Sequence, residues 1–241
     1  MSGKTVLITG ANKSIGYETA RQLGHLGYRV WLGCRDGERG RNAVERLVAD
    51  GVDARPLMID VTKDASVRDA AAHILSKDGA LDILINNAGI PGGPAVAPSL
   101  QPIDEIRTIY ETNVLGPIRV TQAFLPLLKA ANAASIVMVS SGLGSLGWLS
   151  DPANQFYGVN ILGYNSSKSA LNAVTVSFAK ELSAAGIRVN AADPGYTATD
   201  FNGHSGYRTV EQAAAGIVWL ATQPSGGPTG RFFFERDEVP W

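Results

Sequence analysis

Tyr164 and Lys168 lie four residues apart in a segment with helical character. One turn of an α-helix places two such side chains on the same face. A tyrosine hydroxyl has an ordinary pKa of about 10, and a neighbouring ammonium group lowers that pKa because it favours the phenolate. The spacing therefore predicts a tuned proton donor or acceptor, although a solvated helix face can carry the same two residues.

A glycine-containing loop near the start of the chain supports a functional role for this pair, because it has the features of a nucleotide-binding site. Residues 4–9 have the composition of a short buried strand, and helical periodicity runs from about Ile15 to Gly27. Gly10 and Gly16 lie in the loop between them. A strand, a glycine loop and a helix N-terminus together form a pyrophosphate site, because backbone N–H groups and the positive end of the helix dipole face the anion. A tight turn is the alternative for this loop when it is taken alone.

Strand-like and helical segments continue to alternate along the chain. Further strands are predicted at residues 29–33, 54–60, 81–86, 135–140, 188–191 and 230–234. Their near-continuous apolar runs are typical of parallel strands that helices cover on both faces. Gly27 and Gly186 mark helix C-termini, and the spacing of Thr209 and Gln212 predicts a capping box. We expect an α/β fold in which residues 1–241 form a single doubly wound Rossmann domain, with a seven-stranded parallel sheet flanked by helices.

Composition and charge narrow the class of protein. The 241 residues carry a formal net charge of −1 and contain no strongly basic block, so a nucleic-acid partner is not expected. No apolar run reaches the ~18 residues that span a bilayer, and the early first strand leads us to expect no signal peptide. One cysteine, Cys34, leaves no internal disulfide. The histidines lack metal-ligand spacing, so we expect no metal site; they are His25, His73 and His204. The missing signal peptide and disulfide lead us to expect a cytoplasmic protein, and the lack of a basic block leads us to expect no membrane partner.

The chain resembles the short-chain dehydrogenase/reductase family over nearly its whole length. Five signatures occur in the order of that family: the glycine loop of residues 9–16, residues 86–89 after the fourth strand, Asn113, then Ser141 with Tyr164 and Lys168, and finally Pro194 and Gly195 with Thr199. The resemblance implies an oxidoreductase that depends on a nicotinamide cofactor and acts on a small carbonyl or alcohol substrate. It also implies a catalytic set of Asn113, Ser141, Tyr164 and Lys168.

The resemblance assigns a role to each catalytic residue. While the nicotinamide delivers hydride to a carbonyl carbon, Ser141 would hydrogen-bond the carbonyl oxygen and Tyr164 would protonate it. Lys168 would lower the pKa of Tyr164 and bind the nicotinamide ribose. Asn113 would hold a water molecule that connects the lysine to solvent, which completes a proton relay.

Charge at the end of the second strand bears on the choice of cofactor. A carboxylate there would bind the ribose 2′-hydroxyl of NAD, whereas an arginine accommodates the 2′-phosphate of NADP. Arg35 lies at this position and Lys13 adds a second cation, which predicts NADP, while Asp36 keeps NAD as the alternative. The cofactor-binding set that the resemblance implies is Gly10, Asn12, Lys13, Ser14, Ile15, Gly16, Arg35, Asp60, Val61, Asn86, Asn87, Ala88, Gly89, Tyr164, Lys168, Pro194, Gly195, Thr197 and Thr199.

Three departures from the common family pattern stand out. Ser14 replaces the second glycine of the loop. Residues 146–157 form an insertion between Ser141 and Tyr164 that is similar to the carbonyl reductase branch of the family. Only residues 200–208 separate Thr199 from the next helix, so we expect an open pocket for a bulky carbonyl compound. The candidate walls of this pocket are Trp148, Phe156, Tyr196 and Phe201.

Several alternatives stay open. Ser140 competes with Ser141, and Tyr157 competes with Tyr164, although no lysine follows Tyr157 at four residues. A non-catalytic NADP-binding sensor would not need the serine, tyrosine and lysine together, and a sugar-nucleotide epimerase or dehydratase would need a further substrate domain. We expect the insertion to cover the helical surface through which family members commonly dimerise, which slightly favours a monomer over a homodimer.

Overall fold

Eight strands form one sheet in the computed structural model, which describes residues 3–94 and 96–241. The strands are β1 (Thr5–Ile8), β2 (Arg29–Cys34), β3 (Ala54–Met58), β4 (Ile83–Asn86), β5 (Ser135–Val139), β6 (Arg188–Asp193), β7 (Phe232–Phe234) and β8 (Asp237–Glu238). The helices are α1 (Ser14–His25), α2 (Gly37–Ala49), α3 (Asp64–Asp78), α4 (Ile103–Tyr110), α5 (Gly116–Ala130), α6 (Leu146–Ser150), α7 (Leu162–Leu182) and α8 (Val210–Ala221). A π-helical turn (Glu111–Leu115) joins α4 to α5.

The strand order is β3-β2-β1-β4-β5-β6-β7-β8. The first seven strands are parallel, which confirms the predicted doubly wound sheet, and β8 adds an antiparallel pairing to β7 at one edge. The chain winds outward from β1 to β3 and then crosses back to β4 on the other side of β1. Ligands of open α/β sheets bind beyond the carboxyl ends of the strands at such a point of reversal.

Helices cover both faces of the sheet and bury an apolar layer on each. One layer joins α3, α5 and α7 to the sheet through residues such as Ile74, Phe124 and Phe178. The other layer joins α1, α2 and α8 to the opposite face. The near-continuous apolar character of the strands follows from this double coverage. No helix within residues 3–94 and 96–241 combines the length and the apolar character needed to cross a membrane.

The predicted helix boundaries are confirmed where the sequence carried a local signal. Gly27 and Gly186 adopt φ values of +86° and +69°, the left-handed conformation that a chain uses to leave a helix. The Gln212 N–H donates to Thr209 Oγ1 at 3.3 Å, and the Thr209 N–H donates to Gln212 Oε1 at 3.0 Å. These reciprocal bonds form the capping box of α8.

The insertion folds against the end of the chain. Its first residues form α6, and the rings of Trp148 and Phe156 lie 5.5 Å apart. The Gly147 N–H donates to the Trp241 carbonyl at 2.9 Å, while the Trp241 ring stacks on Phe232. Hydrogen bonding and aromatic packing therefore join the insertion to the last strands.

An apolar groove runs along the exposed side of α7. Ser169, Ala173 and Val176 form its floor, and Leu146 and Trp241 form its sides. The small side chains of this face would allow another helix to approach closely. Because Leu146 and Trp241 border the groove, the insertion and the chain end stand in the way of such an approach.

We propose that the protein is a monomer at micromolar concentration, slightly favoured over a homodimer, because Leu146 and Trp241 border the groove along α7. Light scattering should give a mass near the 25.4 kDa of one chain. A mass corresponding to a dimer or a tetramer would contradict this expectation.

Candidate active site

The predicted site residues gather at the carboxyl edge of the sheet, on both sides of the point where strand order reverses. The glycine loop follows β1, residues 87–89 follow β4, Ser141 follows β5, and Pro194 follows β6. Parallel strands bring all these segments to one edge although they are far apart in sequence. Tyr164 and Lys168 reach the same edge from the first turns of α7.

Two glycines make the loop after β1 fit against the loop after β4. Gly10 has φ +64°, and a Cβ there would lie 2.9 Å from the Ala88 Cα. A Cβ on Gly16 would lie 2.5 Å from Asn87 Nδ2. Asn87 Nδ2 donates to the carbonyls of Thr9 and Gly10 at 2.9 and 3.1 Å. The amide therefore fixes the loop that leads into the N-terminus of α1, a cradle that suits a pyrophosphate.

Ser14 occupies a strained position in this loop. It is the first residue of α1 and has φ +52°, in the left-handed region that side chains other than glycine rarely adopt. The glycine that Ser14 replaces would adopt this conformation without strain. Its neighbours Asn12 and Ile15 are half-buried in the same loop.

Lys13 is exposed and connects the glycine loop to the segment after β6. Its Nζ lies 2.6 Å from Asp200 Oδ2, and Asp200 Oδ1 lies 2.8 Å from His204 Nε2. The hydrogen bond from Lys13 is the main reason why the pKa of Asp200 lies below its ordinary value. Lys13 therefore lies in the glycine loop with its ammonium group paired to the Asp200 carboxylate.

Arg35 and Asp36 follow β2, and their side chains differ in exposure and in hydrogen bonding. Arg35 is exposed. The Asp36 carboxylate accepts the backbone N–H groups of Glu38 and Arg39 at 3.1 and 3.0 Å, so it serves as the N-cap of α2. The hydrogen bond from Arg39 is the main contribution that holds the pKa of Asp36 below its ordinary value.

The side chains of three predicted cofactor residues turn into the protein. Asp60 Oδ1 accepts the Thr62 N–H and hydroxyl at 3.0 and 2.7 Å. Burial opposes ionisation of Asp60, but these hydrogen bonds and the nearby cations bring its pKa below the ordinary value. Val61 is buried, and buried Asn86 donates to Thr121 Oγ1 at 3.2 Å. Because Val61 and Asn86 are buried, a contact of either with a cofactor would involve its backbone, whereas Asp60 is only half-buried.

Hydrogen bonds within the turn after β6 and close packing against Arg208 fix its conformation. Gly195 has φ +71°, and a Cβ there would collide with the Arg208 side chain at 2.5 Å. The Thr197 hydroxyl lies 3.1 Å from both the Pro194 and the Gly195 carbonyls. Thr199 Oγ1 accepts the Phe201 N–H at 3.3 Å and begins a short 3₁₀ turn.

Lys168 is buried and held by a hydrogen bond to the sheet. It is 5% exposed, its Nζ donates to the Val139 carbonyl at 2.8 Å, and that Nζ lies 5.7 Å from the centroid of the Tyr164 ring. A Cβ on Gly89 would lie 3.7 Å from Lys168 Nζ and 3.4 Å from Asn113 Oδ1. Gly89 therefore lies near both Lys168 Nζ and Asn113 Oδ1, and its missing side chain leaves space beside these two groups.

Asn113 lies in the π-helical turn and ties two segments together. Its Nδ2 donates to the Ile90 carbonyl at 2.9 Å and to Ser167 Oγ at 3.1 Å. Its Oδ1 accepts the Ile90 N–H at 2.9 Å. π-Helical turns are rare in proteins overall, but many of those that occur lie at functional sites. Nothing in the sequence predicted this turn, because no local residue pattern distinguishes it from a regular helix.

The two serines after β5 point to different places. Ser140 is buried and donates to Asn172 Oδ1 at 2.6 Å, so its hydroxyl faces the interior. The Ser141 side chain interacts with Tyr164 and also accepts the Leu143 N–H at 3.2 Å. Tyr157 is 54% exposed in the insertion. This geometry favours Ser141 over Ser140 and Tyr164 over Tyr157.

Burial controls the protonation of the tyrosine and the lysine. Desolvation raises the pKa of Tyr164, and the interaction with Ser141 only partly opposes that rise. This differs from the expectation that Lys168 lowers the pKa of Tyr164, because the loss of solvation outweighs the other effects. Burial lowers the pKa of Lys168 to about 8, against the attraction of Asp193. At neutral pH the site thus holds a protonated tyrosine beside a lysine that can exchange its proton.

The sequence analysis missed Asp193. It is the last residue of β6 and is 7% exposed, and its Oδ1 accepts the Gly195 N–H at 2.9 Å. Burial raises the pKa of its carboxyl group. An acidic residue at the end of an apolar strand, directly before Pro194, was the signal that could have drawn attention to it.

Aromatic rings border the open side of the site. The Phe201 ring lies 5.7 Å from the Tyr164 ring in an edge-to-face arrangement, and Tyr196 lies 6.1 Å from Tyr207. Phe156 packs on Gly142 and also contacts Trp148. In the described part of the chain, no three His, Cys, Asp or Glu side chains cluster closely enough to hold a metal ion.

Comparisons with known proteins found relatives of this chain both in sequence and in structure. The family model described as "short chain dehydrogenase" matches residues 4–208. The chain is 38% identical to short-chain dehydrogenase anuI of Penicillium roqueforti, over 91% of this chain and 89% of that protein. It is 31% identical to (+)-neomenthol dehydrogenase of Capsicum annuum, over 98% of this chain and 97% of that protein. The structure of NADPH-bound carbonyl reductase from chicken fatty liver superposes with a TM-score of 0.87 at 29% identity, and all of both chains is covered.

The strained backbone of Ser14 leads to a stability prediction. Ser14→Gly should raise the free energy of unfolding by about 0.5–1 kcal/mol, because relief of left-handed strain, roughly 1–2 kcal/mol, exceeds the entropic cost of glycine. Urea denaturation measures the change. Ser177→Gly, an exposed position inside α7, is the matched control and should destabilise the protein. A loss of stability in Ser14→Gly would show that Ser14 is not strained.

Proposed function

The chain belongs to the short-chain dehydrogenase family of oxidoreductases, and on that basis we propose that it uses NADPH to reduce a ketone or aldehyde to an alcohol, or catalyses the reverse oxidation. One observation carries the proposal: Tyr164 and Lys168 lie together beside Ser141, at the carboxyl edge where the strand order reverses. A protein that only sensed a nucleotide would have no use for this acid–base pair.

The proposed roles follow from the chemistry of carbonyl reduction. NADPH supplies the hydride when it is bound. The Ser141 hydroxyl donates a hydrogen bond to the carbonyl oxygen, which gathers negative charge as the reaction proceeds. Tyr164 donates its proton to the same oxygen, and its raised pKa keeps that proton available at neutral pH.

Lys168 and Asn113 are proposed to restore the proton that Tyr164 gives up. The pKa of Lys168, about 8, lets the ammonium lose and regain a proton near neutral pH. Asn113 is fixed by Ile90 and Ser167 on the other side of Gly89. In this arrangement a water molecule near Asn113 links Lys168 to solvent.

We propose NADP over NAD from the charges that follow β2. Arg35 is exposed, and Lys13 lies in the glycine loop with its ammonium group paired to Asp200. Asp36, the residue that kept NAD as the alternative, is already engaged as a helix cap by two backbone N–H groups. The carbonyl reductase that resembles this chain is described as NADPH-bound. A guanidinium and an ammonium group suit a 2′-phosphate, which a carboxylate would repel.

The proposed substrate is a bulky, largely apolar carbonyl compound. Phe201, Tyr196 and Tyr207 are all more than one third exposed around the segment that follows Thr199. This segment is short and contains only a single 3₁₀ turn. An open pocket bordered by aromatic rings accepts an apolar ring system better than a small polar molecule.

Tyr164→Phe should reduce kcat about 10²- to 10⁴-fold, because phenylalanine cannot donate the proton. The dissociation constant for NADPH, measured by fluorescence titration, should change little. Initial rates with NADPH and a panel of cyclic, aromatic and aliphatic ketones provide the measurement. Tyr157→Phe is the matched control and should retain activity. Near-normal turnover by Tyr164→Phe would rule out its role as proton donor.

Arg35→Asp should shift the preference from NADPH towards NADH, because it exchanges an attraction for the 2′-phosphate for a repulsion. Lys13 should preserve part of the affinity for NADPH. The ratio of kcat/KM values for the two cofactors measures the shift. Arg236→Asp makes the same change at an exposed turn between β7 and β8, and should leave the ratio unaltered. If Arg35→Asp leaves the ratio unaltered as well, Arg35 does not contact the phosphate.

A further inference from the structure

We propose that Asp193 is a positioning residue of this site: its carboxylate fixes the backbone on either side of it and keeps Lys168 and Tyr164 in the protonated forms that proton donation requires. The consequence for catalysis rests on the proposed reductase function. The effect on the charge state of Lys168 does not rest on it and can be tested without a substrate.

The position of the carboxylate is set by two loops. Oδ1 accepts the Gly195 N–H at 2.9 Å, which anchors the turn after β6. On the other side, a Cβ on Gly142 would lie 2.9 Å from Oδ2, so the carboxylate contacts the backbone directly after Ser141. Asp193 therefore lies between the loop that carries Ser141 and the turn at Pro194.

The titratable groups that act on Asp193 come from two neighbouring segments. The Lys168 ammonium donates to the Val139 carbonyl, and Val139 pairs with Ala192, the residue directly before Asp193. The charges of Lys168 and Arg208 act on Asp193, and its charge acts in turn on Lys168 and Tyr164. Arg208 is itself paired with Glu235, with Nη1 and Oε1 2.5 Å apart. Among the described residues, Lys168 is thus the nearby cation without a carboxylate partner of its own.

The hydrogen-bond pattern favours an ionised Asp193. The N–H groups of Gly195 and Gly142 both act against the effect of burial on its pKa, as do Arg208 and Lys168. An ionised carboxylate accepts these N–H hydrogen bonds more strongly than a protonated carboxyl group does, so the two donors favour the charged form.

A negative charge at this point acts on both members of the pair in the same direction. It favours the ammonium form of Lys168 and disfavours the phenolate form of Tyr164, so it raises the pKa of each. Neutralising Asp193 should therefore lower both pKa values. The alkaline limit of reductase activity would move to lower pH whichever of the two groups determines it.

The direct test is a ¹³C NMR titration of the full chain labelled at the lysine ε-carbons, with the Lys168 signal assigned through Lys168→Met. Asp193→Asn should lower the pKa of Lys168 by about one unit. Asp193→Ser should lower it in the same direction. Asp237→Asn, the same change at an exposed position in β8, should leave it unchanged. An unchanged Lys168 pKa in a folded Asp193 variant would overturn the proposal.

A second measurement covers the case in which neither Asp193 variant folds. The unaltered chain labelled at the aspartate carboxyl carbons shows whether Asp193 is ionised at neutral pH. An ionised Asp193 supports the proposal, and a protonated one overturns it.

Activity measurements separate this proposal from the proposed function. If the unaltered protein reduces no carbonyl compound with NADPH, the proposed function fails while the NMR result still decides the effect of Asp193 on Lys168. In an active protein, Asp193→Asn should move the alkaline limit of kcat/KM to lower pH. A purely structural residue would lower kcat at every pH without moving that limit, and this result would count against the proposal.

Discussion

The desolvation of the Lys168 ammonium group is the constraint on which the active site depends. A buried cation is costly unless polar partners replace water. The Val139 carbonyl accepts a hydrogen bond from it, and Asp193 supplies an opposite charge within the same buried region. Burial still lowers the pKa of Lys168 to about 8, so incomplete compensation gives the lysine a proton that it can exchange near neutral pH.

The fold makes this confinement possible by bringing α7 close to the sheet. A Cβ on Gly144 would lie 2.8 Å from the Lys168 Cβ, so only glycine allows the helix to approach the turn after β5. Gly89 leaves the space between Lys168 and Asn113 in the same way. Because parallel strands end at one edge, segments distant in the chain supply the carbonyl that accepts from Lys168 and the carboxylate whose charge acts on it.

Local signals in the sequence were sufficient for most of the fold. Strand periodicity, glycines at helix ends and the spacing of Tyr164 and Lys168 each depend on neighbouring residues, and the structure reproduces them. The short strand β8 escaped prediction because two residues carry no period, and it forms by pairing with β7. Asp193 escaped because its burial depends on packing between distant segments. The family resemblance already favoured Ser141 over Ser140, and the hydrogen bond from Ser140 to Asn172 supplies the physical reason.

The pH dependence of NADPH-dependent ketone reduction by the unaltered chain tests the central claim, that a partly compensated buried lysine governs proton donation. In the proposed reduction Lys168 and Tyr164 act in their protonated forms, so kcat/KM should be constant at lower pH and should fall as pH rises through about 8, the pKa of Lys168. A profile that stays level well above that pH, or that falls only at the acidic end, would contradict it.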